Sequence, residues 1–185
     1  MLARGSGCPP SSATCIADSR HATLAPVTVA EHPNVARVRA FAAERGVPIE
    51  IRRFAASTRT AQDAAREIGV SVGEIVKSLV FVADGRPIVV LCCGDRRVGE
   101  ERLREVLGAT GVRRTTADEA KRFTGYAIGG VPPFAHETPC ETVIDEDMSR
   151  FEKVWAAAGL PDAVFEISVA DLRRLADAKA ARIAE

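Results

Sequence analysis

The residue most suited to chemistry is Lys77, one of four lysines in a chain that carries 21 arginines. It lies between two apolar pairs, Ile75-Val76 and Leu79-Val80, where a helical turn is expected to give way to a strand. A lysine ammonium is a compact charge with three donors, and it can bind a carbonyl or phosphate oxygen when partly desolvated. The alternative is a lysine whose stem covers apolar surface while its ammonium stays in water, and Lys77 alone favours this alternative.

A second candidate is a loop that begins with two glycines and continues through two prolines. Glycine permits unusual backbone angles and leaves N–H groups uncovered, and the prolines then stiffen the chain. Such a loop can present main-chain donors to an oxygen that is negative or becomes negative during a reaction. It can equally be a rigid turn between strands. Its residues are Gly129, Gly130, Val131, Pro132, Pro133 and Phe134.

Two polar candidates follow this loop, His136 and Asp145. His136 could contact a ligand or transfer a proton, although a single histidine is more often a surface or hydrogen-bonded structural residue. Asp145 ends an apolar run, where a carboxylate can orient a ligand or cap the residues that follow. The sequence has no Gly-x-Ser-x-Gly motif and no Ser-His-Asp spacing. Its three histidines do not pair at ligand spacing, so we expect no metal site.

The charge of the chain is balanced, with 25 basic and 25 acidic residues. This balance removes the simplest argument for nucleic-acid binding, which is a globally basic protein. A local excess remains in residues 96–122, where eight basic and five acidic side chains could follow a phosphate backbone. Helix surfaces of mixed charge are common, so this indication is weak. The basic residues are Arg96, Arg97, Arg102, Arg104, Arg113, Arg114, Lys121 and Arg122.

The elements that must position these residues begin at residue 33. Apolar residues at helical spacing, together with capping residues, predict helices at 33–46, 60–69 and 99–107, after Thr116 and after Ser168. A further helical turn from Ser71 is expected to include Ile75 and Val76. β-rich runs predict strands at 49–54, 126–128, 142–144 and 164–167.

The strongest sheet signal is a pair of apolar runs, 79–82 and 88–93, around an Asp84-Gly85 turn. This pattern predicts an antiparallel hairpin, and its continuous apolar character places both strands centrally, covered on both faces. The order of elements is not the strict alternation of a doubly wound fold, and no glycine-rich phosphate motif follows a strand. The sequence therefore predicts a mixed, mostly antiparallel α+β domain without a nucleotide cofactor.

Residues 1–30 are predicted to be an extension without fixed structure, and residues 31–185 the folded domain. The extension is rich in glycine, proline and serine near residues 5–12, and no helical or strand period precedes Pro33. No run approaches the roughly 18 apolar residues that span a bilayer, so we expect no membrane partner. Five cysteines lack a disulfide framework, and adjacent Cys92 and Cys93 should point to opposite faces of a strand. We therefore expect buried thiols and a cytoplasmic location.

Three motifs in order resemble the YbaK/ProX (YbaK/EbsC) family, the free-standing relatives of the editing domain inserted in bacterial prolyl-tRNA synthetase. Residues 75–79, Ile-Val-Lys-Ser-Leu, resemble the family's segment with lysine, then serine or threonine, then leucine. Residues 124–133, Thr-Gly-Tyr-Ala-Ile-Gly-Gly-Val-Pro-Pro, resemble its glycine–proline stretch, and 142–145, Thr-Val-Ile-Asp, the strand after it. The resemblance covers residues 33 to 185.

The resemblance implies a partly barrel-like sheet with peripheral helices and an aminoacyl-tRNA deacylase. The implied substrate is tRNA(Pro) carrying a small wrong amino acid, with aminoacyl-tRNA and prolyl-tRNA synthetase as partners. It implies that the lysine at position 77 is required for activity and that the glycine–proline loop lines the acyl-adenosine pocket. Phe54 stands where the cysteine-specific branch has tyrosine, and residues 156–159 where it has a serine-containing loop. The expected pocket therefore lacks those hydroxyl groups.

These implications assign a catalytic role to Lys77 and substrate-binding roles to a larger set. That set is Phe54, Gly129, Gly130, Val131, Pro132, Pro133, Phe134, His136 and Asp145. We expect backbone N–H groups around Gly129 and Gly130 to receive the ester carbonyl, Lys77 to hold the carbonyl or the terminal phosphate, and water or a substrate group to attack. Two other classes stay open: a non-catalytic module that binds the tRNA acceptor end or a synthetase, and a small-molecule acyl- or nucleotide-binding protein.

Overall fold

The computed structural model describes residues 31–54 and 60–185, and this part contains five α-helices and eight strands. The helices are α1 (Pro33–Glu44), α2 (Ala61–Ile68), α3 (Glu100–Leu107), α4 (Ala117–Thr124) and α5 (Val169–Leu175). The strands are β1 (Ile51–Arg53), β2 (Val76–Ala83), β3 (Arg86–Cys93), β4 (Val112–Arg114), β5 (Glu141–Asp145), β6 (Lys153–Ala157), β7 (Ala163–Ser168) and β8 (Lys179–Ala181). Two short 3-10 turns cover Val72–Glu74 and Glu146–Arg150. The predicted extension, residues 1–30, lies outside the described residues and stays a prediction.

The strands form two sheets, a five-stranded one in the order β4-β2-β3-β5-β8 and a three-stranded one in the order β1-β7-β6. Four of the strand pairs are antiparallel, and two pairs, β3 with β5 and β5 with β8, are parallel. A bridge between Ile75 and Trp155 connects the sheets. The predicted mixed, mostly antiparallel α+β fold is confirmed. The described strands do not close into a barrel.

The predicted hairpin is β2 and β3, and it lies in the centre of the larger sheet. Asp84 and Gly85 both have positive φ, 47° and 81°, which is the backbone that a two-residue hairpin turn needs. Alternate residues of β3 enter two different core clusters, so both of its faces are covered. Cys92 and Cys93 lie fully buried on opposite faces, and burial raises the pKa of Cys92 to about 12.

Capping side chains begin the helices where the sequence predicts. The Thr60, Thr116 and Ser168 hydroxyls each accept a hydrogen bond from the backbone N–H three residues later. The carboxylate of Glu119 in turn accepts a hydrogen bond from the backbone N–H of Thr116, which completes a capping box. These predicted helix starts are confirmed. No helix in the described part of the chain is long and apolar enough to cross a membrane.

Two predictions of secondary structure are wrong. Residues 126–128 form a turn instead of a strand, because the Tyr126 side chain is fully buried, its hydroxyl donates to the Ala135 carbonyl, and Gly130 N–H closes a turn onto Ala127. The helical turn after Ser71 ends at Glu74, and the next residues are already extended. Strands β4, β6 and β8 had no prediction.

Candidate active site

A cavity of about 510 Å³ opens where the two sheets meet. Its walls are the first half of β2, the start of α2, residues 94–97 after β3, the loop at 128–131, and β6. The cavity is open here because β4 pairs only with residues 81–83 of β2, so the earlier part of that strand has no paired strand along its outer edge, and β6 faces it across the cavity. Lys77, Gly129 and Val131 all line this cavity.

Lys77 is the second residue of β2, opposite Cys92 in the hairpin, and its side chain is half-buried. Its ammonium donates a hydrogen bond to the carbonyl oxygen of Arg96. Within the described residues it forms no ion pair with a carboxylate. An ammonium has three N–H donors, so it retains donors for a ligand oxygen in the cavity.

Only some residues of the glycine loop line the cavity. Gly129 has φ +88° and lines the cavity. The N–H of Gly130 already donates to the carbonyl of Ala127 at 3.0 Å, so this amide is engaged within the loop, and the expected role of the N–H groups around Gly129 and Gly130 stays a prediction. A Cβ on Gly130 would lie 2.9 Å from the backbone of Leu160, which requires glycine for close packing.

The residues after Val131 support the loop from behind and do not line the cavity. Pro132 and Pro133 are buried. The ring of Phe134 stacks on Phe41 with centroids 5.3 Å apart. His136 Nε2 lies 2.8 Å from the carbonyl oxygen of Pro132, and burial lowers the pKa of this histidine. Because a carbonyl only accepts, the Nε2–H tautomer is required here.

Asp145 is not one of the residues that line the cavity, and it holds the C-terminal segment in place. It is 3% exposed and accepts the N–H groups of Asp147 at 2.8 Å, Ile183 at 3.1 Å and Ala184 at 2.5 Å. Its carboxylate oxygens therefore serve the fold, and the structure does not bring this residue to the other candidates. Phe54 packs against the apolar cluster behind the cavity and is not one of its lining residues.

Sequence reasoning missed the apolar wall of the cavity. This wall includes Ala61, Ala64, Ile75, Trp155 and Val164, most of them buried. The signal lies in β6, where Trp155 precedes two alanines, but no strand is predicted there from the sequence. The missed wall lacks hydroxyl groups, so it suits a small apolar group.

The charged groups at the rim are mostly paired with one another. Arg96 lies 2.7 Å from Asp147, and Arg150 contacts both oxygens of Asp95 at 2.6 and 2.7 Å. Burial raises the pKa of Asp95, but the hydrogen bond and charge of Arg150 outweigh it, so the pKa lies below its ordinary value. Arg97 is exposed, lines the cavity, and has no side-chain partner within the described residues.

The arrangement combines an apolar chamber, an ammonium and a cationic rim. It can hold a small acyl group, hydrogen-bond an oxygen beside it, and attract an anion at the entrance. The described residues contain no group of three or more His, Cys, Asp or Glu side chains that could hold a metal ion.

Comparisons with known proteins agree on one family. Residues 55–175 match the model of the aminoacyl-tRNA editing domain. The chain is 30% identical over 131 residues to the Bacillus subtilis protein YwhH, covering 70% of this chain and 83% of that one. It is 33% identical over 126 residues to a proline–tRNA ligase of Nitratidesulfovibrio vulgaris, and the match spans 64% of this chain but 21% of the ligase.

Solved structures give the same result. One described as a proposed trans-editing enzyme for prolyl tRNA synthetase superposes with a TM-score of 0.79 at 38% identity, covering 84% of this chain and 99% of the other. The hypothetical protein APE2540 superposes with a TM-score of 0.76 at 32% identity, covering 80% and 99%. The family match spans more than half of the chain and includes both Lys77 and the glycine loop. The chain therefore belongs to the aminoacyl-tRNA editing domain family, and it is related to the editing domains of prolyl-tRNA synthetases.

Proposed function

We propose that this protein is a trans-editing hydrolase that removes a small wrong amino acid from mischarged tRNA, with tRNA(Pro) as the substrate. The observation that carries the proposal is that Lys77 and Gly129 line one cavity whose back wall is apolar. The family match and the resemblance to a proposed trans-editing enzyme support the same activity. Aminoacyl-tRNA and prolyl-tRNA synthetase are the proposed partners, and the cytoplasm is the proposed location.

The reaction is hydrolysis of the ester that joins the amino acid to the terminal ribose. The oxygen of water adds to the carbonyl carbon, the bond from that carbon to the ribose oxygen breaks, and a proton passes to the ribose oxygen. The products are a free amino acid and a tRNA with a free hydroxyl. An ester of this kind is already activated, so orientation and stabilisation of the oxyanion supply most of the catalysis.

Lys77 acts in this proposal as a donor to the ester carbonyl or to the terminal phosphate. Its hydrogen bond to Arg96 carbonyl holds the ammonium in the cavity, while its other donors face the substrate. A charged donor is worth more than a neutral one where water is excluded. Asp95 is a carboxylate that also lines the cavity, but it is ion-paired with Arg150, and no histidine among the described residues lines the cavity. We therefore propose that a group of the substrate activates the attacking water or attacks the ester itself.

The apolar chamber sets which acyl group is removed. Trp155 and Val164 bound it with mostly apolar surface, and the only hydrogen-bonding group of these two side chains is the indole N–H of Trp155. A hydrophobic pocket excludes groups that are too large, but it discriminates only about 10- to 200-fold per methylene. We therefore propose that small amino acids, such as alanine, are removed and that proline is retained.

The test is a deacylation panel with tRNA(Pro) charged with alanine, cysteine, serine, threonine or proline. We expect release of at least one small amino acid above the uncatalysed rate, and no release of proline. Binding of the acceptor end without release of any amino acid would overturn the proposal and favour a non-catalytic module. Equal binding of aminoacyl-adenosine and whole tRNA, independent of salt, would favour a small-molecule binding protein.

A further inference from the structure

The outer edge of β2 is unpaired beside the cavity, between two points where it is anchored. At one end Ile75 forms a bridge with Trp155. At the other end the N–H of Thr115 donates to the carbonyl of Val80 at 3.2 Å, and β4 pairs only with later residues. Between these points the strand pairs with β3 on its inner side, and no described strand is paired with its outer side.

The direction of the backbone groups along this edge follows from the ladder. In an antiparallel ladder, successive residues direct their N–H and C=O groups alternately to the two sides of the strand. The Val80 carbonyl points outward, to Thr115, so Ser78, two residues earlier, also directs its N–H and C=O outward. Ser78 lines the cavity, and β4, the strand paired with this side of β2, reaches only residues 81–83.

The hydroxyl of Ser78 does not bind the backbone groups of this open edge. Its hydroxyl oxygen is buried and makes no hydrogen bond within the described residues. The residue before it is Lys77, whose ammonium reaches the same cavity. Gly130 cannot serve the same purpose, because its N–H is committed to Ala127.

We propose that the backbone N–H of Ser78 donates a hydrogen bond to the carbonyl oxygen of the bound aminoacyl ester. The same bond stabilises the oxyanion that forms when the oxygen of water adds to the carbonyl carbon. No bond to the protein forms or breaks in this step. The inference rests on the proposed deacylase function and assigns to the open edge of β2 the donor that the sequence suggested for the glycine loop.

Replacing Ser78 by proline tests the inference because proline has no backbone N–H, and comparison with Ser78→Ala separates this loss from loss of the hydroxyl. Proline is tolerated in a strand where the N–H faces away from the neighbouring strand, and the residue before it prefers the extended backbone that Lys77 already has. Loss of one oxyanion donor typically costs about 10²- to 10³-fold in kcat. We expect that loss for Ser78→Pro, and a loss at least about tenfold smaller for the matched variant Ser78→Ala, which removes the same hydroxyl but keeps the N–H.

Wild-type activity in folded Ser78→Pro, or an equal loss in Ser78→Ala, would overturn the inference and leave the deacylase function standing. A wild-type protein that releases no amino acid would overturn both. If Ser78→Pro does not fold, amide NMR of the wild type with an amide-linked, non-hydrolysable aminoacyl-adenosine decides the question. We then expect a downfield shift and slowed exchange of the Ser78 amide, and no change there would overturn the inference.

Discussion

Replacing Asp145 by alanine is expected to destabilise the protein without removing a group that lines the cavity. The change deletes the acceptor for the buried N–H groups of Ile183 and Ala184, and each unsatisfied buried donor costs about 1–3 kcal/mol. Loss of the cap on Asp147 N–H adds about 1 kcal/mol. Because these contributions overlap, we expect a decrease of about 3–5 kcal/mol in the free energy of unfolding.

Urea unfolding followed by the fluorescence of Trp155, the single tryptophan, measures this change. With an m-value of about 2 kcal/mol per molar urea, the midpoint should fall by about 1.5–2.5 M. Asp145→Asn keeps one carbonyl acceptor and should lose roughly half as much stability. In conditions where all three proteins are folded, their rates of deacylation should agree. A variant that is as stable as wild type but inactive would show that Asp145 contacts substrate and would refute the reasoning.

Two further predictions concern a buried histidine and the cationic rim. Burial lowers the pKa of His136 below 6.5, so the unfolded state takes up the proton at a higher pH than the folded state does. The free energy of unfolding should therefore fall as the pH drops below about 6.5. A plot of the urea midpoint against pH should have a smaller slope in this range for His136→Gln than for wild type. Equal slopes would contradict this. Arg97→Ala should weaken binding of aminoacyl-tRNA and reduce the slope of log affinity against log salt by about 0.7, whereas Arg86→Ala, at the far end of the hairpin, should not. Identical slopes for both would remove Arg97 from the tRNA contact.

The local signals of the fold could be read from the sequence. The Asp84-Gly85 turn between two apolar runs specifies the hairpin, since few other residues tolerate positive φ at both positions. Capping residues such as Thr60 and Thr116 mark helix starts for an equally local reason. The edge strand β4, with three residues, is too short to show a period, and its pairing depends on contacts distant in sequence.

The candidate site was predicted only in part, because proximity in a sheet is not visible in a motif. The scarcity of lysine pointed to Lys77, and the paired glycines pointed to the loop beside it. No local sequence signal marks the N–H of Ser78 as unpaired within the sheet, because this depends on where β4 stops pairing with β2. Asp145 looked like a site residue because a carboxylate at the end of an apolar strand can bind either a ligand or the backbone, and here it binds the backbone.

We propose that deacylation in this cavity depends on the ammonium of Lys77, which holds the ester carbonyl or the terminal phosphate. The most direct test of this proposal is single-turnover deacylation of the mischarged tRNA(Pro) that the wild type hydrolyses, compared among wild type, Lys77→Ala and Lys179→Ala. Lys179 is a matched lysine on β8, three strands away from β2 in the same sheet. We predict that Lys77→Ala binds the tRNA but releases amino acid no faster than the uncatalysed reaction, while Lys179→Ala matches wild type. Turnover of Lys77→Ala at the wild-type rate would contradict the account.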